Sequence, residues 1–339
     1  IAADAANPDA PQTVFGLIVA GLRARRAAGH APFTVMCCDN IPHNGNVTCE
    51  AVVETARLSD PELAGWIAAT VAFPNAMVDR ITPATSDRER RMVREDFGIQ
   101  DEAPVFCEDF IQWVLEDNFP AGRPPLEKAG VEFVADVTPW ELMKIRILNG
   151  GHQVICGAGA LLGLTTIAQT MAHPAIRAFL RRVVTQEIAP HVDAVPGHTP
   201  VQYLDLIERR FSNPEIADTT RRVAFDGSSR HPGFIVPSIR DGLRSGAPVD
   251  GLALVSALWA RYCLGLTADG TVIAPNDPHW TALQSVAREA LHTPRLWLEQ
   301  RQYYGDLADV PRFADAFARW LSVVHSQGVE AAIRAWLAQ

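Results

Sequence analysis

The sequence predicts an α/β layer over residues 1–137 followed by a mostly helical domain over residues 138–339. Three observations lead there. Short apolar runs in the front third each end in a cluster of polar turn residues and alternate with helical stretches, the pattern of an open parallel sheet. Beyond Val137 nearly every segment repeats its apolar residues at helical spacing instead. And 339 residues exceed what one hydrophobic core usually organises, so two domains are expected.

Residues 14–28 read as an amphipathic helix with Arg23, Arg25 and Arg26 near its end, where cations suit the helix dipole. Thr34-Val35-Met36-Cys37-Cys38 reads as a buried strand that stops at the polar cluster Asp39-Asn40-Ile41-Pro42-His43-Asn44-Gly45-Asn46. Ser59-Asp60-Pro61-Glu62 starts a second helix with a cap and an early Pro. Residues 70–73 form the next predicted strand, again ending in polar residues, and residues 106–114 and 131–137 give two more. Ligands bind at the carboxyl ends of strands in such sheets. Thr138-Pro139-Trp140-Glu141 reads as a capping box that opens the helical domain. Residues 176–188, 200–211, 249–264 and 280–291 are its clearest helices.

The composition narrows the partners. Hydrophobic residues at 48% and charged residues at 20% are ordinary for a globular chain. A net charge of −9 with no long basic run argues against nucleic acid or an anionic membrane as partner. The uncharged stretch between His152 and His173 reads as a buried helix, because Gly157, Gly159 and Gly163 and several polar residues interrupt it. Six scattered cysteines without a CxxC pair read as reduced thiols, which points to the cytoplasm. The opening Ile-Ala-Ala-Asp resembles neither a signal peptide nor a natural start, so a segment upstream is expected.

The most informative string is Lys144-Ile145-Arg146-Ile147-Leu148-Asn149-Gly150-Gly151-His152. On an α-helix Lys144, Asn149 and His152 fall within an arc of about 140° and a rise of about 12 Å, so all three reach one small molecule. Two successive glycines inside a helix suggest that another backbone or a ligand comes close. The plainer account is a solvated lysine face and a satisfied core histidine, and spacing alone does not decide between them.

Lys-x4-Asn-x2-His resembles the active-site pattern of the long-chain polyol dehydrogenases and reductases, and the resemblance runs over essentially the whole chain. The supporting strings are Cys38-Asp39-Asn40-Ile41-Pro42-His43-Asn44-Gly45, Phe73-Pro74-Asn75-Ala76-Met77-Val78-Asp79-Arg80-Ile81-Thr82-Pro83 and Asp226-Gly227-Ser228-Ser229-Arg230. Phe110-Ile111-Gln112-Trp113-Val114-Leu115-Glu116-Asp117-Asn118-Phe119 resembles the mannitol branch. The resemblance implies Lys144 as general base, Asn40 and Asn149 as donors to the reacting oxygen, and His152 as a hydrogen-bond partner of the sugar. It also implies Asp79, Arg222 and Arg230 as substrate contacts, with Arg230 standing where many mannitol enzymes carry Lys. The implied activity interconverts a polyol such as D-mannitol with its ketose, D-fructose, using NAD, with NADP as an alternative.

That chemistry fits the residue types. Hydride removal from a secondary alcohol needs a proton acceptor, and a lysine serves only if its amine is neutral, lowered from about 10.4. Side-chain amides steady the developing alkoxide without adding charge. No metal is expected: Cys37 and Cys38 are adjacent with no His at ligand spacing, and His43 alone makes no site. Cys107 and Cys156 lack any partner pattern for a nucleophile and read as buried thiols.

No GxGxxG follows a strand, since Gly157-x-Gly159 sits among helical signals. By the resemblance, residues 1–137 are then the C-terminal part of a Rossmann-type domain whose fingerprint lies upstream, leaving Asn40 as the cofactor contact within this sequence. A hexuronate reductase of the same family, with Arg230 facing a carboxylate, is one alternative; a non-catalytic ligand-binding relative is another. The oligomeric state is left open, a monomer sufficing for the chemistry.

Overall fold

Side-chain caps open several helices in the computed structural model, which describes residues 2–339. The chain divides into two units, Ile1–Thr82 with Cys107–Glu141, and Pro83–Phe106 with Leu142–Gln339.

In the first unit the Thr13 side chain accepts the N–H of Gly16 and opens helix Val14–Ala27. Asp60 does the same for Leu63 and opens helix Pro61–Thr70, with Pro61 in the first turn. Between them lies helix Asn44–Arg57. Leu22, Val52, Ala56, Leu63 and Ile67 from the three helices bury one core with Val35 and Phe73. Strands β1 (Ala76–Asp79), β2 (Gln112–Glu116) and β3 (Glu132–Val134) form one sheet in that order.

The sheet is mixed rather than wholly parallel: β2 and β3 run parallel, whereas β1 and β2 run antiparallel with Asp79 opposite Gln112. The connection between β1 and β2 leaves and returns at the same end of β1, which reverses the chain direction. The expected strands at residues 34–38 and 70–73 are extended or helical chain instead, joined by one bond from the Val35 N–H to the Ala72 carbonyl, 3.0 Å. Val35, Ala72 and Phe73 are buried, but Met36 and Cys38 are exposed, and a strand also needs a ladder partner. Residues 106–114 pair only from Gln112 onward. Upstream, the Glu108 carboxylate accepts the Ile81 N–H and the Glu108 N–H donates to the Ile81 carbonyl, so the chain wraps around Ile81 before it can pair.

The capping box at Thr138 does not form either. The Thr138 N–H is taken by Asp136 Oδ1 at 2.9 Å, and Glu141 turns to the His43 N–H at 3.2 Å. Burial raises the Glu141 carboxyl above its ordinary value.

The second unit is built around helix Asp250–Tyr262, in which every residue but Asp250 and Arg261 is buried. It packs against helices Gly150–Leu161 and Pro311–Gln327. The Glu187 carboxylate accepts the N–H groups of Gly251 and Leu252, both at 2.8 Å, at the start of that central helix. Burial pushes this carboxyl up to about 7, against the pull of the two N–H groups. The apolar run after His152 is a buried helix as expected. Among the described residues no helix is long and apolar enough to cross a membrane.

Candidate active site

Asn40 lies exposed on the turn that follows the extended run at residues 33–38. The turn is fixed from behind by Asn44, which is fully buried. Its Nδ2 donates to the carbonyls of Asp39 (2.9 Å) and Ala76 (2.8 Å), and its Oδ1 accepts the Ala76 N–H (2.9 Å). One side-chain amide therefore pairs with β1 as a neighbouring strand would. Gly45 lets this happen, because a Cβ there would lie 2.5 Å from the Phe73 carbonyl oxygen and 2.6 Å from that of Pro74. Asn75 adds a second tie: its Oδ1 accepts the Asn46 N–H at 3.1 Å, while its own N–H donates to Glu116 at 2.9 Å. Asp79 ends β1 and is buried. Two strings distant in sequence thus meet, bringing the Asn40 turn to the strand that carries Asp79.

In the second unit the helix that carries Lys144, Asn149 and His152 is not α-helical throughout. Lys144–Asn149 is a π-helical segment between α-helices Thr138–Met143 and Gly150–Leu161. Its i→i+5 hydrogen bonds fit an extra residue into the turn. The angular offsets expected at 100° per residue therefore do not carry across it. Arg146 pins the wide turn through Nη2 to Asp241 (2.9 Å) and Nη1 to Ser238 Oγ (2.9 Å). The glycine pair does admit a backbone: a Cβ on Gly150 would sit 3.4 Å from the Phe234 carbonyl oxygen, and one on Gly151 3.4 Å from Leu180 Cδ1.

Lys144 is buried, at 7% exposure, and not on a solvated face. Asn149 is half-buried. His152 is also buried, its ring stacked on Phe211 with centroids 3.9 Å apart and planes 12° from parallel. Its Nε2 lies 4.0 Å from Asp218 Oδ2. Asp218 in turn accepts Arg222 Nε and Nη2, both at 2.5 Å. Arg230 Nη1 donates to the carbonyls of Arg222 (3.2 Å) and Val223 (2.8 Å), and Gln153 Nε2 also reaches the Val223 carbonyl, 3.1 Å. Burial first, and Arg222 second, lower the Arg230 guanidinium from its ordinary value.

Within this unit the structure thus gathers His152, Arg222 and Arg230 about the segment at residues 218–223, while Lys144 and Asn149 share the π turn. Sequence reasoning missed Asp218, Phe211 and Asn44. Asn44 stands inside a quoted motif, whereas Asp218 lies just before the helix that carries Arg222, so helical spacing does not mark the pair. The six cysteines are free, and burial pushes the Cys156 thiol up to about 12, which leaves no thiolate at neutral pH for nucleophilic work.

Comparison with known proteins adds to the geometry. A model described as the mannitol dehydrogenase Rossmann domain matches residues 3–128, and one described as the mannitol dehydrogenase C-terminal domain matches residues 136–324. The chain is 58% identical over 338 residues to a mannitol 2-dehydrogenase of Cereibacter sphaeroides, covering 100% of this chain and 71% of that protein. It is 41% identical to one from Phaeosphaeria nodorum, covering 98% of this chain and 59% of the relative. The structure of Pseudomonas fluorescens mannitol 2-dehydrogenase in a ternary complex with NAD and D-mannitol superposes with a TM-score of 0.88 at 42% identity, over 99% of this chain and 69% of that one. A D-sorbitol dehydrogenase in substrate-free form gives 0.87 at 36% identity, over 98% and 68%.

Proposed function

The chain belongs to the mannitol dehydrogenase family, and from that premise we propose that it interconverts D-mannitol, or a related hexitol or pentitol, with the matching ketose, D-fructose for mannitol. The observation that carries the reading is the burial of Lys144 at the first position of a π turn that ends in Asn149. Low-dielectric surroundings disfavour an ammonium, so a buried amine is the form of lysine suited to take a proton from an alcohol. π turns also recur at functional positions in helices.

The residues divide the work as follows. Lys144 Nζ takes the hydroxyl proton from the carbon that becomes the carbonyl, and returns it in the reverse direction. Asn149 and Asn40 donate side-chain N–H groups to the oxygen as negative charge grows on it. His152, its ring plane held by Phe211, hydrogen-bonds a hydroxyl of the substrate, and Asp79, Arg222 and Arg230 contact the rest of the polyol.

A bound NAD supplies the hydride acceptor. The first unit fits its nicotinamide end in one respect: Asn40 lies on a braced turn at the end of an extended run anchored by buried Val35, where α/β folds take up ligands. The sequence contains no glycine-rich turn of the kind that cradles a pyrophosphate. The proposed proton and oxyanion chemistry uses an amine and two amides and asks for no Lewis acid. The cytoplasm is the compartment that suits the six free thiols.

The test is turnover by the full chain after exhaustive chelation, with mannitol or mannonate and with either nicotinamide cofactor. Mannitol oxidation with NAD that survives chelation is expected. Strict dependence on added zinc would overturn the metal-free mechanism, and a preference for mannonate would move the assignment to a hexuronate reductase.

A further inference from the structure

We infer that Asp218 is a positioning residue that aims Arg222, and the ring of His152, at the polyol. The inference deepens the functional reading above and rests on it, since it takes Arg222 and His152 as substrate contacts.

The carboxylate of Asp218 is buried, with its side chain 4% exposed against 48% for that of Arg222. It engages one edge of the guanidinium, Nε and Nη2, in a bidentate pair. A planar fork gripped along one edge loses most of its rotational freedom, and Nη1 is left outside that pair. The same carboxylate lies 4.0 Å from His152 Nε2, while Phe211 covers a face of that ring. One buried anion therefore stands between two candidate substrate contacts.

The anion is itself immobile. The Asp218 N–H donates to the Ile216 carbonyl at 2.7 Å, and its carbonyl accepts the Ile167 N–H at 2.9 Å. Five residues on, the Val223 carbonyl is held both by Arg230 and by Gln153, the neighbour of His152 in sequence. The segment is thus tied at both ends, and one of these ties leads straight to the helix of His152. A pair serving only stability has no need of such bracing, because an exposed arginine against a carboxylate contributes little. Bracing that fixes direction is what a ligand contact requires.

The experiment is a double-mutant cycle on the full chain, with Asp218→Asn and Arg222→Met singly and together. Asp218→Asn is expected to lower kcat/KM for the polyol by about tenfold or more, chiefly through KM, while KM for the nicotinamide cofactor changes less than about twofold. In the Arg222→Met background the same change should have less than about a twofold effect, because its main target is gone. Multiplicative losses in the double variant would overturn the inference, as would an equal rise in the cofactor KM.

A second measurement needs no substrate and does not depend on the Asp218 variant being stable. The Nε–H signal of Arg222, assigned by its loss in Arg222→Met, should exchange slowly with solvent in the wild-type protein. Exchange as fast as that of an ordinary surface arginine would refute the clamp. If the wild-type chain turns over no polyol, the functional reading fails, and this signal still decides whether Asp218 fixes Arg222.

Discussion

The turn at residues 39–45 and the helix at residues 144–152 carry candidate site residues of the two units, and they are held by opposite means. The turn is braced by uncharged amides: Asn44 against the backbone of Ala76, Asn75 against that of Asn46, and Gly45 for close approach. Two carboxylates join them, Glu141 on the His43 N–H and Glu116 on the Asn75 N–H, but no guanidinium or ammonium does. The helix and its surroundings are held by ionisable side chains: Arg146 on Asp241, Arg222 on Asp218, and the titrating Glu187 under the central helix of the unit. Neutral brackets are blind to pH and salt, whereas ionised ones feel both. In the proposed chemistry Asn40, which must stay neutral throughout, sits on the neutral bracket. The proton acceptor and the substrate-facing cations sit where charge sets the field.

The strongest way to break this contrast is Lys144→Ala, expected to lower kcat by about 10²- to 10⁴-fold with little change in the far-UV spectrum. Added small amines should restore part of the rate. Retention of more than about a third of kcat would remove Lys144 from the role of base, given the effect expected of one. Next come Asn40→Ala and Asn149→Ala, one from each region. Each should reduce kcat by about 10²- to 10³-fold with KM nearly unchanged, as loss of a transition-state donor does. If steady-state kinetics returned a pure KM effect for both, the two amides would be binding ground-state hydroxyls only.

Gly45→Ala attacks the neutral bracket itself. A Cβ 2.5 Å from the Phe73 carbonyl oxygen forces the backbone apart, at a cost of about 1–3 kcal/mol in denaturant unfolding. That loss should be the same at pH 5 and pH 8, and a strong pH dependence would contradict the neutral description. The charged region gives the smallest effect. The Glu187 carboxyl stands at about 7 in the folded chain against an ordinary 4.5, so between those values the folded state holds the extra proton. Its contribution to stability is complete below pH 4.5 and fades as pH rises through 7. The slope in that window is on the order of 1 kcal/mol per pH unit. Glu187→Gln should remove this component from a series of unfolding curves, and an unchanged slope would reassign it to other groups.

Much of this was legible in the sequence because it is local. Asp60 and Pro61 announce the start of their helix, and Thr199-Pro200 opens the helix read over residues 200–211. The family was legible because its motifs recur in order along the chain. Strand pairing was not, since Val35 and Phe73 look the same in a sheet interior as in a core without a ladder. The phase of Lys144 relative to His152 escaped for a related reason. A π turn depends on what packs around it, here Asp241 and Ser238 on Arg146 and the Phe234 carbonyl beside Gly150, all some 80 to 100 positions away in sequence. Asp218 lies between regular elements, where no periodicity marks it.

The widened turn at Lys144–Asn149 behaves like a dislocation in a crystal lattice. It cannot be annealed by moving one side chain, only by removing a residue or by sliding everything on one side of it. Deleting a single residue within it should let the backbone relax to uniform 3.6-residue winding with the flanking helices left in register, because the widened turn had absorbed the extra residue locally. Composition and charge would scarcely change, yet Lys144 and Asn149 would lose the widened turn that now carries them. Substitutions in this helix are therefore graded events, while insertions and deletions are all or nothing.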